Sequence, residues 1–156
     1  MIKKILIVIV VLILLGIVFL GSQIEFKISD EEARDVLSES ANEIHFNDVK
    51  IQERTIHYAY TDNNKDLLIV FVHGSPGSWN AFIDYFKADS LLGYMDMVSF
   101  DRAGFGGSDF GDAEPSLEIQ AKHLKAVTDQ FDHKNKILID HSSFSISGST
   151  EGATMI

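Results

Sequence analysis

Three stretches of this chain place residue types able to do chemistry at the end of an apolar run. His73-Gly74-Ser75-Pro76-Gly77 follows Asp66-Leu67-Leu68-Ile69-Val70-Phe71-Val72, and Asp101-Arg102-Ala103-Gly104-Phe105-Gly106-Gly107-Ser108-Asp109 follows Met95-Asp96-Met97-Val98-Ser99-Phe100. The third, Asp140-His141-Ser142, follows Lys136-Ile137-Leu138-Ile139. Hydroxyls, carboxylates and imidazoles serve nucleophilic and acid–base catalysis, whereas glycine-rich loops can also cradle phosphates. A phosphate loop needs Gly-x-Gly-x-x-Gly opening directly into a helix. Here Phe110-Gly111-Asp112-Ala113-Glu114-Pro115 intervenes and acids surround the turn, which argues against a nucleotide. The six histidines are scattered without metal-ligand spacing, and cysteine is absent. Neither a metal nor another cofactor is expected, and the histidines other than His73 read as loop or surface residues.

The elements that must position these residues are legible from periodicity. The run at 67–72 does not alternate, nor does 137–139, so both read as strands buried on two faces, as in a parallel sheet. Segments 44–51 and 54–61 alternate polar and apolar, which suits a hairpin with one wet face at a sheet edge. Trp79, Phe82 and Phe86 mark the inner face of a helix over about 78–88, and Leu117, Ala121, Leu124, Thr128 and Phe131 that of another opening near Pro115-Ser116. Strand–helix–strand–helix–strand implies right-handed crossovers and an α/β fold with a doubly wound, mostly parallel sheet.

Upstream, Lys3 and Lys4 precede an unbroken apolar run from Ile5 to Leu20. A helix over Ile2–Ile24 would be roughly 35 Å long, enough to cross a bilayer. A cleaved signal peptide fits less well, because Leu20 or Phe19 would stand where a cleavage site wants a small residue. The flanking charges, Lys3 and Lys4 before and Glu25, Asp30, Glu31 and Glu32 after, put the N-terminus in the cytoplasm and the rest outside. Ser29 and Glu32 form a capping box for an amphipathic linker helix over 30–43, with Ala33, Val36, Leu37, Ser40, Ala41 and Ile44 on its apolar face. The expected organisation is therefore an anchor over 1–24, a linker over 25–43 and one domain over 44–156. The net charge is −10, or −12 once Lys3 and Lys4 are set aside, which argues against nucleic acid as a partner.

Over residues 44–142 the order and spacing of these turns resemble the N-terminal half of the α/β-hydrolase family, in its serine-nucleophile, esterase or prolyl-aminopeptidase branch. His73-Gly74-Ser75-Pro76 is similar to the His-Gly-x-Pro pattern of that family's oxyanion loop, and Asp101, Gly104, Gly106 and Ser108 match its Asp-x-x-Gly-x-Gly-x-Ser turn. The resemblance implies hydrolysis of a small ester or amide substrate. Ser142 would be the nucleophile, and the N–H groups of Ser75 and Ser143 would hold the oxyanion. An Asp140 nucleophile, as in dehalogenase-like relatives, would leave Leu138 and Ser142 where glycines belong.

The pattern breaks at the third turn. The family wants Gly-x-Ser-x-Gly, but Asp140 and Phe144 stand in for the two glycines. Ser143-Phe144-Ser145-Ile146-Ser147-Gly148-Ser149-Thr150 is a poor start for the helix that should follow. The family's order is serine, acid, histidine, yet after Ser142 there is no histidine and Glu151 is the one acid. The expectation is a truncated, inactive product, as from a frameshift or early stop; the alternative is a non-catalytic, membrane-tethered binding module on the same partial fold.

Overall fold

The structure is a computed structural model describing residues 9–16, 28–38, 40 and 43–140. Its strands are β1 (His45–Ile51), β2 (Arg54–Tyr60), β3 (Leu67–Val72), β4 (Asp96–Phe100) and β5 (Asn135–Asp140). They form one sheet in the order β1-β2-β4-β3-β5, with β1 and β2 antiparallel to their neighbours and β3, β4 and β5 parallel. The chain leaves β3 in the middle of the sheet, crosses to β4 on one side, then returns past β3 to β5 on the other. Helices α1 (Asp30–Leu37), α2 (Ile83–Phe86), α3 (Asp89–Leu92) and α4 (Leu117–Thr128) complete the described residues, with a 3-10 turn at Trp79–Phe82.

Strand periodicity sorts the core into two layers. Odd positions of the inner strands, Ala59, Ile69, Phe71 and Met97, meet Ala33 and Leu37 of α1, Phe86 of α2, Leu92 of α3 and Trp79. Even positions, Ile56, Tyr58, Leu68, Val70, Val72, Val98 and Phe100, meet Val127 and Leu124 of α4. Helices on both faces explain why β3 is apolar throughout and why every residue of β4 is buried. Phe71 stacks on Phe82 at 4.6 Å, and Trp79 takes Phe46 edge-on at 5.3 Å.

Four expectations need correction. The linker helix ends at Leu37 rather than 43, because the Ser38 hydroxyl turns back to Asp35 O at 2.7 Å and competes for the helical carbonyl. The helix expected over 78–88 is instead the 3-10 turn followed by the single turn of α2, because the backbone leaves the helical region at Phe82 (φ −110°, ψ 10°); the Trp79 N–H at its start is capped by the Asp101 carboxylate at 2.6 Å. On α4 the buried residues are His123, Val127 and Thr128, while Leu117 and Ala121 face solvent. Finally, β5 is not buried on both faces: Ile137 and Ile139 are 49% and 42% exposed, because among the described residues nothing packs over that side or pairs with its outer edge.

Of the expected anchor over 1–24, the described part is residues 9–16, which are helical and mostly exposed. Among the described residues no helix is long and apolar enough to cross a membrane. The nucleophile turn, with Ser142 and Ser143, lies outside the described residues.

The amino end of β4 is held by a fully buried carboxylate. Asp96 accepts from the N–H groups of Asn63 at 2.7 Å and Lys65 at 2.9 Å, from the Thr61 hydroxyl at 3.3 Å, and faces His133 Nε2 at 3.2 Å. Removing it strands several buried donors at once. Asp96→Ala is expected to lose about 3 kcal/mol of stability, read in urea through the single tryptophan, Trp79, which is 1% exposed.

Candidate active site

A second buried aspartate organises the other end of β4. Asp101, 1% exposed, accepts from the Trp79 N–H at 2.6 Å and the Gly107 N–H at 2.6 Å. Its own N–H donates to His57 O at 2.8 Å, and its carbonyl accepts from the Ser108 hydroxyl at 2.8 Å. Ser108 Oγ in turn accepts the His57 N–H at 2.8 Å, so one short side chain ties the 101–108 turn to β2. The glycines at 104 and 106 are required here. Gly104 and Gly106 have φ of +91° and +51°. A Cβ on Gly104 would run into the backbone at Ala113, and one on Gly106 into the Asp101 carboxylate.

His73 joins this turn to the preceding one. It is fully buried, and its two ring nitrogens have opposite jobs: Nδ1 lies 2.6 Å from Gly74 O, while Nε2 accepts the Arg102 N–H at 3.0 Å. A carbonyl can only accept and an amide can only donate, so the ring is the neutral Nδ1–H tautomer. Burial agrees with this: it pushes the imidazole down to about 4, against the opposing pull of the Gly74 carbonyl. The Arg102 side chain crosses the same seam, with Nη1 3.4 Å from His73 O and Nε 3.1 Å from Gln120 Oε1. Burial lowers the Arg102 pKa, and the Asp140 carboxylate at the end of β5 opposes that shift.

The register brings the three strand exits together, with Val72 opposite Phe100 on one side and Asp140 on the other. His73, Gly74, Ser75, Pro76, Asp101, Gly104, Gly106 and Ser108 thus gather at the carboxyl ends of β3 and β4, beside the exit of β5. Ser75 and Pro76 are exposed, joined by a cis peptide bond, and among the described residues the Ser75 N–H has no hydrogen-bond partner. The left-handed glycines of the described chain are Gly104, Gly106 and Gly111, so the turn at Gly74 is made without that conformation.

Sequence reading missed Arg102 and the Trp79 amide, whose roles depend on where the backbone returns rather than on local pattern. It also put His123 and His57 on the surface. His123 is 3% exposed on the inner face of α4, and His57 lies between Asp48 Oδ1 at 2.9 Å and Asp30 Oδ1 at 3.2 Å. Among the described residues no group of three His, Cys, Asp or Glu could hold a metal ion.

This sheet order with its loop geometry defines the amino-terminal half of the α/β-hydrolase fold, and solved structures agree. The haloalkane dehalogenase DatA from Agrobacterium tumefaciens C58 is similar at 29% identity and a TM-score of 0.51, over 62% of this chain and 32% of its own. The Cif epoxide hydrolase from Acinetobacter nosocomialis is similar at 14% identity and 0.58, over 82% of this chain and 43% of its own. A Vigna radiata epoxide hydrolase mutant shares 20% identity at 0.53, over 69% and 34%. The chain thus spans about a third of the dehalogenase and less than half of the Cif enzyme. No protein-family model and no curated protein sequence matches it. The chain has a partial α/β-hydrolase fold.

The neutral His73 makes stability depend on pH. Its folded pKa, about 4, lies below its ordinary 6.5, so from 6.5 down to 4 the unfolded chain takes up a proton that the folded chain refuses. The stabilisation is complete above pH 6.5 and falls by on the order of 3 kcal/mol as the pH drops to about 4. His123, also lowered by burial, adds in the same direction. Urea unfolding across that range should show the fall, and His73→Asn should make it shallower, leaving the His123 part.

Proposed function

We propose that this chain is the nucleophile-bearing half of a membrane-tethered serine hydrolase of small ester or amide substrates. The exposed Ser75 N–H supports this reading most directly. Among the described residues it has no partner, on a loop that His73 and Asp101 hold beside the exit of β5. Ser142, two residues beyond Asp140, stands at the nucleophile position. Its Oγ would attack the carbonyl carbon, its proton would pass to a base, and the oxyanion would face the N–H groups of Ser75 and Ser143. The tether is the apolar run before Glu25, with Lys3 and Lys4 on the cytoplasmic side and the domain outside.

These residues do not supply the base themselves, since no histidine follows Ser142 in the sequence. On its own the chain is therefore expected to be catalytically silent. A second reading, a non-catalytic binding module, draws support from the Asp140 carboxylate beside Arg102, where the family carries a glycine.

Added imidazole separates the two. A half-site lacking a base gains hydrolysis of p-nitrophenyl acetate, in excess of the rate that imidazole alone gives, as imidazole is raised, and that excess disappears in Ser142→Ala. Equal rates for the two proteins at every imidazole concentration would remove the hydrolase reading and leave the binding module. Substantial Ser142-dependent turnover without imidazole would contradict the missing base.

A further inference from the structure

At the amino end of the sheet, opposite the strand exits just described, lies a cavity of about 380 Å3. Two loops wall it, 61–65 and 129–134, and both are fastened to one buried carboxylate. Asp96 takes the N–H groups of Asn63 and Lys65 from the first loop and His133 Nε2 from the second. The walls are thus fixed by the fold rather than assembled around a ligand, and a pocket of this size is in the range of small-molecule sites.

The lining is aromatic on one side and hydrogen-bonding elsewhere. Tyr60 and Phe131 meet edge-to-face at 5.3 Å, with Tyr58 behind them at 5.7 and 6.0 Å. Around them stand the carboxylates of Asp62 and Asp132, the amides of Asn47, Asn64 and Gln130, and the Lys65 ammonium. Asn47 Oδ1 already accepts the Asp48 N–H at 2.9 Å, and Gln130 donates to Ala126 O at 3.1 Å, which leaves its side-chain oxygen to accept. Among the described residues Asp62, Asp132 and Lys65 form no ion pair, so their hydrogen-bonding capacity is available.

This composition selects among ligand classes. Two carboxylates against one ammonium repel an anion such as phosphate. Against an organic cation stands the ring geometry: the three aromatic rings pack on one another rather than opening into a cage around one. An acyl chain would bury too many polar groups without partners. A neutral polyhydroxylated ring satisfies the set: its hydroxyls both donate to carboxylates and accept from amides, while its C–H face lies on an aromatic ring. We propose that this cavity binds a neutral saccharide of one or two pyranose rings, at a site separate from the hydrolase-like strand exits.

Saturation-transfer difference NMR of the full chain, in a detergent without a sugar headgroup, tests this with glucose and maltose, with choline and inorganic phosphate as contrasts. Transfer to the sugar ring protons is expected, at affinities on the order of millimolar. Asp132→Asn and Gln130→Ala, both at exposed positions, should each weaken it about tenfold. Asp84→Asn, an exposed position on α2, should leave it unchanged, and Trp79 fluorescence checks that every variant is folded. Absence of transfer to both sugars, binding of choline or phosphate in their place, or transfer unaltered in the Asp132→Asn, Gln130→Ala double variant would each overturn the assignment. None of these outcomes bears on Ser142, so the hydrolase reading stands or falls separately.

Discussion

The structure depends on carboxylates buried at the two ends of one strand. β4 runs from Asp96 to Phe100 and exits at Asp101; Asp96 takes backbone N–H groups from the loop before β3, and Asp101 takes one from the turn after β3 and one from its own turn. A carboxylate out of water is tolerable only when its lone pairs are filled. That requirement works in reverse as an assembly rule. The loop before β3, the turn after it and the turn after β4 must all return to β4 for either aspartate to be satisfied. At the carboxyl end the result is a rigid floor under the Ser75 loop; at the amino end it is a pair of pinned loops around a cavity.

His73 extends that floor sideways. It accepts one amide from the Arg102 turn and donates to its own neighbour's carbonyl, a pattern open only to a neutral ring. Burial keeps it neutral well below the ordinary histidine range. His73 is thus occupied twice over as a structural link between the two turns. Its part in the loop is structural, and it takes no proton there.

What the sequence shows clearly is what the backbone demands locally. The Asp101–Ser108 turn is legible because Gly104 and Gly106 must be left-handed and Asp101 must cap amides, so nearly every position is constrained. The runs in β3 and β4 are legible because both their faces are covered. The same apolar look misleads for β5, where Ile137 and Ile139 face outward, since a short run carries no sign of what covers it. Spacing misleads at 79–86 too: Trp79, Phe82 and Phe86 fit a continuous helix as well as one interrupted at Phe82. On α4 a buried imidazole, His123, takes a place that apolar counting gives to Ala121. Arg102 was invisible as a site residue because its meaning arises from β5 lying beside β3.

The lock between the two loops is tested most directly by 15N NMR of the His73 side chain at about pH 5, below the ordinary histidine pKa. The account predicts a neutral ring with its hydrogen on Nδ1, slow to exchange because the site is buried. A doubly protonated ring at that pH, or a neutral ring carrying the hydrogen on Nε2, would contradict it.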